Sequence, residues 1–196
     1  MDLETSQSTL LFISFIIVLM EMVICFQSQA LQFDKAEILC QHALDIWRVN
    51  GASGTIGEAS DRLLMGLICN ESGKHEAALE NFILARDSFN FSGDKIEEGS
   101  VEASIGDTYV FLGCLDKAVN AYQKALITFK SNNIKSRGTH VDIASVYVSL
   151  AGVYLRVGKV RESKGCCETA LRIYTRNGVK EEIVACALTE IAIIYE

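Results

Sequence analysis

An all-α solenoid of helix-turn-helix units, wound into a right-handed superhelix, is the fold class predicted by this 196-residue sequence. Small and large residues recur at fixed internal offsets: Gly66 to Gly106 is 40 residues, Gly106 to Ala151 is 45 and Ala151 to Ala192 is 41. No proline occurs anywhere, which suits long helices. Asn50-Gly51, Ser92-Gly93, Asn132-Asn133 and Asn177-Gly178 follow each second helix, where residues tolerant of left-handed geometry end helices.

Residues 1–28 form a hydrophobic N-terminal segment, and residues 29–196 the repeat array: a half repeat, three repeats near 59–93, 99–133 and 144–178, and a closing half repeat. Within the segment, Leu10 to Phe26 is an apolar run interrupted by Ser14 and Glu21. At 1.5 Å per residue it reaches about 25 Å, short of a roughly 30 Å hydrocarbon core, and Glu21 is costly in lipid. Three readings stand: an extra hydrophobic helix or remnant in place of a missing first helix, a membrane anchor, and a signal peptide. Asp2 and Glu4 disfavour the last, because a signal peptide opens with positive charge.

The half repeat is a helix over 33–50 carrying Ala36, Cys40 and Ala43. The first full repeat pairs helices over 57–71 and 74–91, with Met65, Gly66, Cys69, Gly73, Ala78, Phe82 and Ala85 at the packing positions. The second pairs 95–112 with 115–131, using Ile105, Gly106, Tyr109, Gly113, Ala118, Tyr122 and Ala125. In the third, the capping-box spacing Thr139-His140-Val141-Asp142 opens a helix over 140–156, followed by one over 159–176. Its packing residues are Leu150, Ala151, Tyr154, Gly158, Ser163, Cys167 and Ala170. A last helix over 180–195 carries Ile191, Ala192 and Tyr195, and its apolar face predicts self-association through an open C-terminal helix. The small residues allow close helix approach and the aromatics fill the space beside them, which is the tetratricopeptide pattern, here with a unit longer than the usual ~34 residues.

A net charge of -7 without any Lys/Arg run argues against nucleic acid as a partner. Seven cysteines include no CxxC pair and no histidine at zinc-ligand spacing, so no metal is expected. Cys40, Cys69 and Cys167 fall at apolar repeat positions, whereas the neighbours Cys166 and Cys167 invite a redox-sensitive reading. The glycine-rich stretch from Gly51 to Gly57 lacks the GK[ST] ending of a phosphate loop and reads as a connector. No nucleophile and base are set at a recognisable spacing, so neither catalytic residues nor a cofactor are expected. The chain reads as non-enzymatic.

The stretches Gln29 to Ile46, Asp61 to Glu80, Ser104 to Ser131 and Ser163 to Tyr174 resemble the plant kinesin-light-chain-related proteins. That resemblance implies a cytoplasmic tetratricopeptide scaffold associated with cortical microtubules, linking cytoskeleton to membrane-linked machinery. It also implies that the chain holds the later part of a longer array.

Protein or peptide partners follow from the repeat fold, whose first helices offer a groove. The groove positions read Leu63, Leu67 and Asn70, then Ser104 and Asp107, then Val148, Ser149 and Arg156. The alternatives are a membrane-anchored tetratricopeptide adaptor and a chaperone-type tail receptor. The receptor needs Lys and Asn to hold a carboxylate, and the inner positions Leu63, Leu64 and Leu67 do not supply them.

Overall fold

The chain is described by a computed structural model over residues 33–52, 54–131 and 137–178. Among these residues there are seven helices and no strand: α1 (Phe33–Val49), α2 (Ile56–Glu71), α3 (His75–Ser92), α4 (Lys95–Phe111), α5 (Leu115–Ser131), α6 (Arg137–Arg156) and α7 (Val160–Arg176). The fold is all-α and of tetratricopeptide type. The Leu10 to Phe26 segment and the helix expected over 180–195 lie outside the described residues, and no described helix is long and apolar enough to cross a membrane.

Each helical hairpin closes through the same short turn. Val110 O, Tyr109 O and Thr108 O at the end of α4 accept from Gly113 N, Cys114 N and Leu112 N at 2.9 to 3.1 Å. The glycine sits at φ 72°, a left-handed conformation that a side chain disfavours. Gly73 and Gly158 repeat this geometry after α2 and α6. Twelve residues separate Gly66 from Ala78, Gly106 from Ala118 and Ala151 from Ser163, so the turn is constant and the variation in repeat length falls between hairpins.

Helix starts are capped by side chains. Thr55 accepts from Glu58 N at 3.3 Å while the Glu58 carboxylate accepts from Gly54 N at 2.5 Å, and Asp94 accepts from Glu97 N at 3.2 Å. The expected start of α6 needs correction. The helix already runs from Arg137, which places Thr139 inside it rather than at its cap.

The helices gather into two compact units, one ending at Ser88 and one beginning at Phe89. In the first, Gly66 lies against Phe82: a Cβ there would stand 2.4 Å from the ring. Ala78, Phe82 and Ala85 are fully buried. In the second, Gly106 lies against Tyr122, and Gly99 against Phe129, in the same manner. Ala118, Tyr122, Ala125, Leu126 and Phe129 of α5 meet Val146, Leu150 and Val153 of α6 in one apolar cluster, with Tyr109 and Tyr154 half-buried at its edge. Ala144, Val148, Ala170 and Tyr174 form the core of the α6 and α7 hairpin, and Ala151 is fully buried.

Candidate protein-binding surfaces

The residues expected along the first helices are in three different situations. Leu67 is 38 % exposed and Leu63 half-buried, while Asn70 Oδ1 lies 2.8 Å from His75 Nδ1 across the hairpin turn. Asp107 is held inside its hairpin, where Tyr122 Oη donates to its Oδ1 at 2.5 Å. Ser149 of α6 lies beside the same hydroxyl, so side chains of α4, α5 and α6 meet at one buried tyrosine. Burial raises Asp107 above the usual carboxylate range, and the Tyr122 hydrogen bond offsets part of that rise. Ser104 turns back to the Ser100 carbonyl of its own helix at 3.2 Å. Val148 is 8 % exposed within the α6 and α7 core, so it leaves little surface to a partner, whereas Arg156 is exposed at the end of α6.

A polar cleft of about 230 Å³ lies in the first unit, bounded by α1, α2 and α3. Glu58, Arg62, Met65 and Cys69 line it from α2. These follow an i, i+4, i+7, i+11 stripe, roughly a third of a turn around the helix from Leu63, Leu67 and Asn70. The cleft and the expected groove are therefore different faces of one helix. Charges in the cleft are matched locally: Arg62 bonds Glu58 at 2.6 Å, Arg48 bonds Asp45 at 2.8 Å, and Lys74 closes on Glu37 nearby at 2.6 Å.

Between α1 and α2, Trp47 Nε1 donates to Asp61 Oδ2 at 2.5 Å. Gly57 leaves room for the indole, since a Cβ there would come within 2.7 Å of it. Burial raises the Asp61 carboxyl and the Trp47 bond opposes that rise. Burial likewise pushes the Cys40 thiol up to about 12 and Cys166 up to about 11. Such thiols stay protonated at neutral pH, which runs against the redox reading of Cys166 and Cys167, because exchange needs thiolate.

Charge is distributed unevenly, which the chain-wide total conceals. Residues 1–111 hold six Lys/Arg and seventeen Asp/Glu, whereas residues 112–178 hold eleven and four. Three lysines of the second segment lie over tyrosine rings: Lys117 on Tyr109, Lys130 on Tyr147 and Lys159 on Tyr154, at 5.4 to 5.9 Å. Ten of these eleven basic residues lie on α5, α6 and α7 or at the turn between α6 and α7.

The tetratricopeptide repeat family model matches residues 103–126, spanning the α4 and α5 hairpin. Kinesin light chain-related 1 from Arabidopsis thaliana is 47% identical over 86% of this chain, and Kinesin light chain-related 2 from the same plant is 46% identical over 86%. The chain spans 27% and 26% of those proteins. Among solved structures, BtubC from P. vanneervenii superposes with a TM-score of 0.69 at 22% identity, covering 76% of this chain and 59% of that one, which shows the shared fold. The chain thus belongs with the kinesin-light-chain-related tetratricopeptide repeat proteins, and covers about a quarter of the length of the relatives it matches.

Proposed function

We propose that the chain is a non-enzymatic protein-interaction scaffold that connects microtubule-associated with membrane-linked machinery in the cytoplasm. The carrying observation is the identity to kinesin-light-chain-related proteins across helical hairpins whose cores repeat while their surfaces do not. Gly66 with Phe82 and Gly106 with Tyr122 keep the same packing, but the exposed residues around them differ in charge and size. Such an arrangement presents a sequence of distinct contact surfaces on a common frame.

Each unit offers its own strip along its first helices: Leu63 and Leu67 supply apolar area beside Asn70 in the first, and Ser104, Ser149 and Arg156 supply polar contacts in the second. Val148 and Asp107 contribute from beneath by fixing α6 and α4. A substitution at Asp107 would disturb Tyr122 as well as any partner, so the informative variants are Leu67→Asp and Arg156→Glu, both at exposed positions. Each should weaken partner capture by about 1 to 3 kcal/mol with helicity unchanged.

The test is affinity capture from plant extract by the full chain and by these variants, scored for tubulin and membrane proteins in one recovered complex. Equal recovery by wild type and both variants would remove the first-helix strip from the binding surface. Recovery of neither class of protein by wild type would remove the linking role. The readings of residues 1–28 as packed helix or anchor are separated by whether the chain remains with membranes after an alkaline carbonate wash.

A further inference from the structure

The outward stripes of α3 and α7 occupy the same register in their hairpins, counted from Ala78 and Ser163, yet carry opposite charge. On α3 the stripe is Glu76, Glu80, Asp87 and Phe91, all exposed, with Phe91 at 91%. On α7 the corresponding positions are Arg161, Gly165, Arg172 and Arg176, all exposed, and the one acidic residue on that stripe, Glu168, has Lys164 within 4.0 Å. Asp87 takes a local bond from Arg86 at 2.8 Å and remains open to solvent, while among the described residues no ion pair involves Glu76, Glu80 or these three arginines.

We propose that these stripes are complementary faces of one interface, through which the α3 face of one copy of this chain docks on the α7 face of a second copy. The spacing fits an antiparallel approach. Glu76 and Glu80 stand four residues apart, as do Arg176 and Arg172, so both pairs meet together at one helical turn of separation. In the same register Arg161 falls opposite the Phe91 ring, and within a turn of Asp87, where its guanidinium covers an aromatic face otherwise exposed to water. The interface uses a different surface on each copy, so every added copy leaves one acidic and one basic face free, and assembly proceeds head to tail. Opposite charge commits the partner: the acidic segment up to residue 111 and the basic segment from 112 to 178 are each the other's complement.

Sedimentation velocity of the full chain at about 50 mM salt tests this, because exposed charges act over the longest range at low ionic strength. Wild type should sediment as concentration-dependent oligomers that dissociate near 0.5 M salt, where screening is short-ranged. Glu76→Arg with Glu80→Arg in one variant, and Arg172→Glu with Arg176→Glu in another, should each lower the association constant by roughly tenfold or more. An equimolar mixture of the two variants restores opposite charge at every junction and should recover association. Circular dichroism should be unchanged in both, since all four positions are exposed. The inference is overturned if wild type stays monomeric at low salt, if either reversal leaves association intact, or if the mixture fails to recover it. Oligomers that survive both reversals would assign assembly to another surface, such as the apolar face expected over 180–195.

Discussion

Phe82 and Tyr122 hold the same place in successive hairpins and differ by one oxygen, and the chain compensates for that oxygen. Where the ring is Phe82 the residue after the packing glycine is Leu67; where it is Tyr122 that residue is Asp107, which accepts its hydroxyl hydrogen bond. Tyr122→Phe should therefore cost about 1 to 3 kcal/mol by leaving a buried carboxyl without its donor, measured by urea unfolding. Adding Asp107→Leu recreates the Leu67 and Phe82 pairing and should recover most of that loss. Burial holds Asp107 and Asp61 above the ordinary carboxylate range, so ionising either costs stability. Their stabilising contribution is complete below the unfolded value near 4 and is lost as pH rises through the higher folded values. The Tyr122→Phe with Asp107→Leu variant should consequently show a flatter fall of stability with rising pH than wild type. Glycines offer a second contrast. Gly106→Ala would drive a Cβ to 2.6 Å from the Tyr122 ring and should destabilise by about 1 to 3 kcal/mol, whereas a Cβ at Gly152 meets nothing within 4 Å. Gly152→Ala should then stabilise α6 by about 0.5 to 1 kcal/mol, and opposite signs in the same unfolding assay are the expected outcome.

At the scale of elements, the helices were legible because one spacing rule served every hairpin. Small residues at Gly66, Gly106 and Ala151, followed twelve residues later by Ala78, Ala118 and Ser163, mark two helices and the turn between them. The start of α6 was less legible: a capping-box spacing at Thr139 competes with a helix that continues upstream to Arg137, and local chemistry does not reveal which prevails. A second packing layer passed unnoticed at the sequence level. Gly99 and Phe129, and Ala144 and Tyr174, repeat a small and aromatic pairing at the opposite end of each hairpin, and the sequence carried that signal four residues beyond Ala125 and Ala170. The Asp107 partnership was equally readable from the paired change of Leu67 and Phe82 to Asp107 and Tyr122. The link between Trp47 and Asp61 was not, since no other hairpin repeats it. The hairpin turns themselves make a sharp prediction. Gly113→Ala forces a side chain into φ 72° and should cost about 1 to 2 kcal/mol in the unfolding assay, even though its Cβ has open space.

For the whole molecule, averaging hides what matters. A net charge of -7 describes neither the acidic first 111 residues nor the basic stretch from 112 to 178, and counting by segment exposes a polarity that counting by chain removes. The candidate binding strip was only partly readable for a related reason. Sequence register locates a residue along a helix, but the division of α2 between its cleft face and the face of Leu63 and Leu67 depends on what α1 and α3 cover. The short glycine turn also governs time. Because it brings Gly66 to Phe82 and Gly106 to Tyr122 across only sixteen residues, the defining contacts form with little loop-closure cost. Without proline there is no prolyl isomer to wait for, and that step ordinarily takes tens of seconds. Stopped-flow refolding after denaturant dilution should therefore be complete before the prolyl timescale begins, each hairpin serving as its own nucleus.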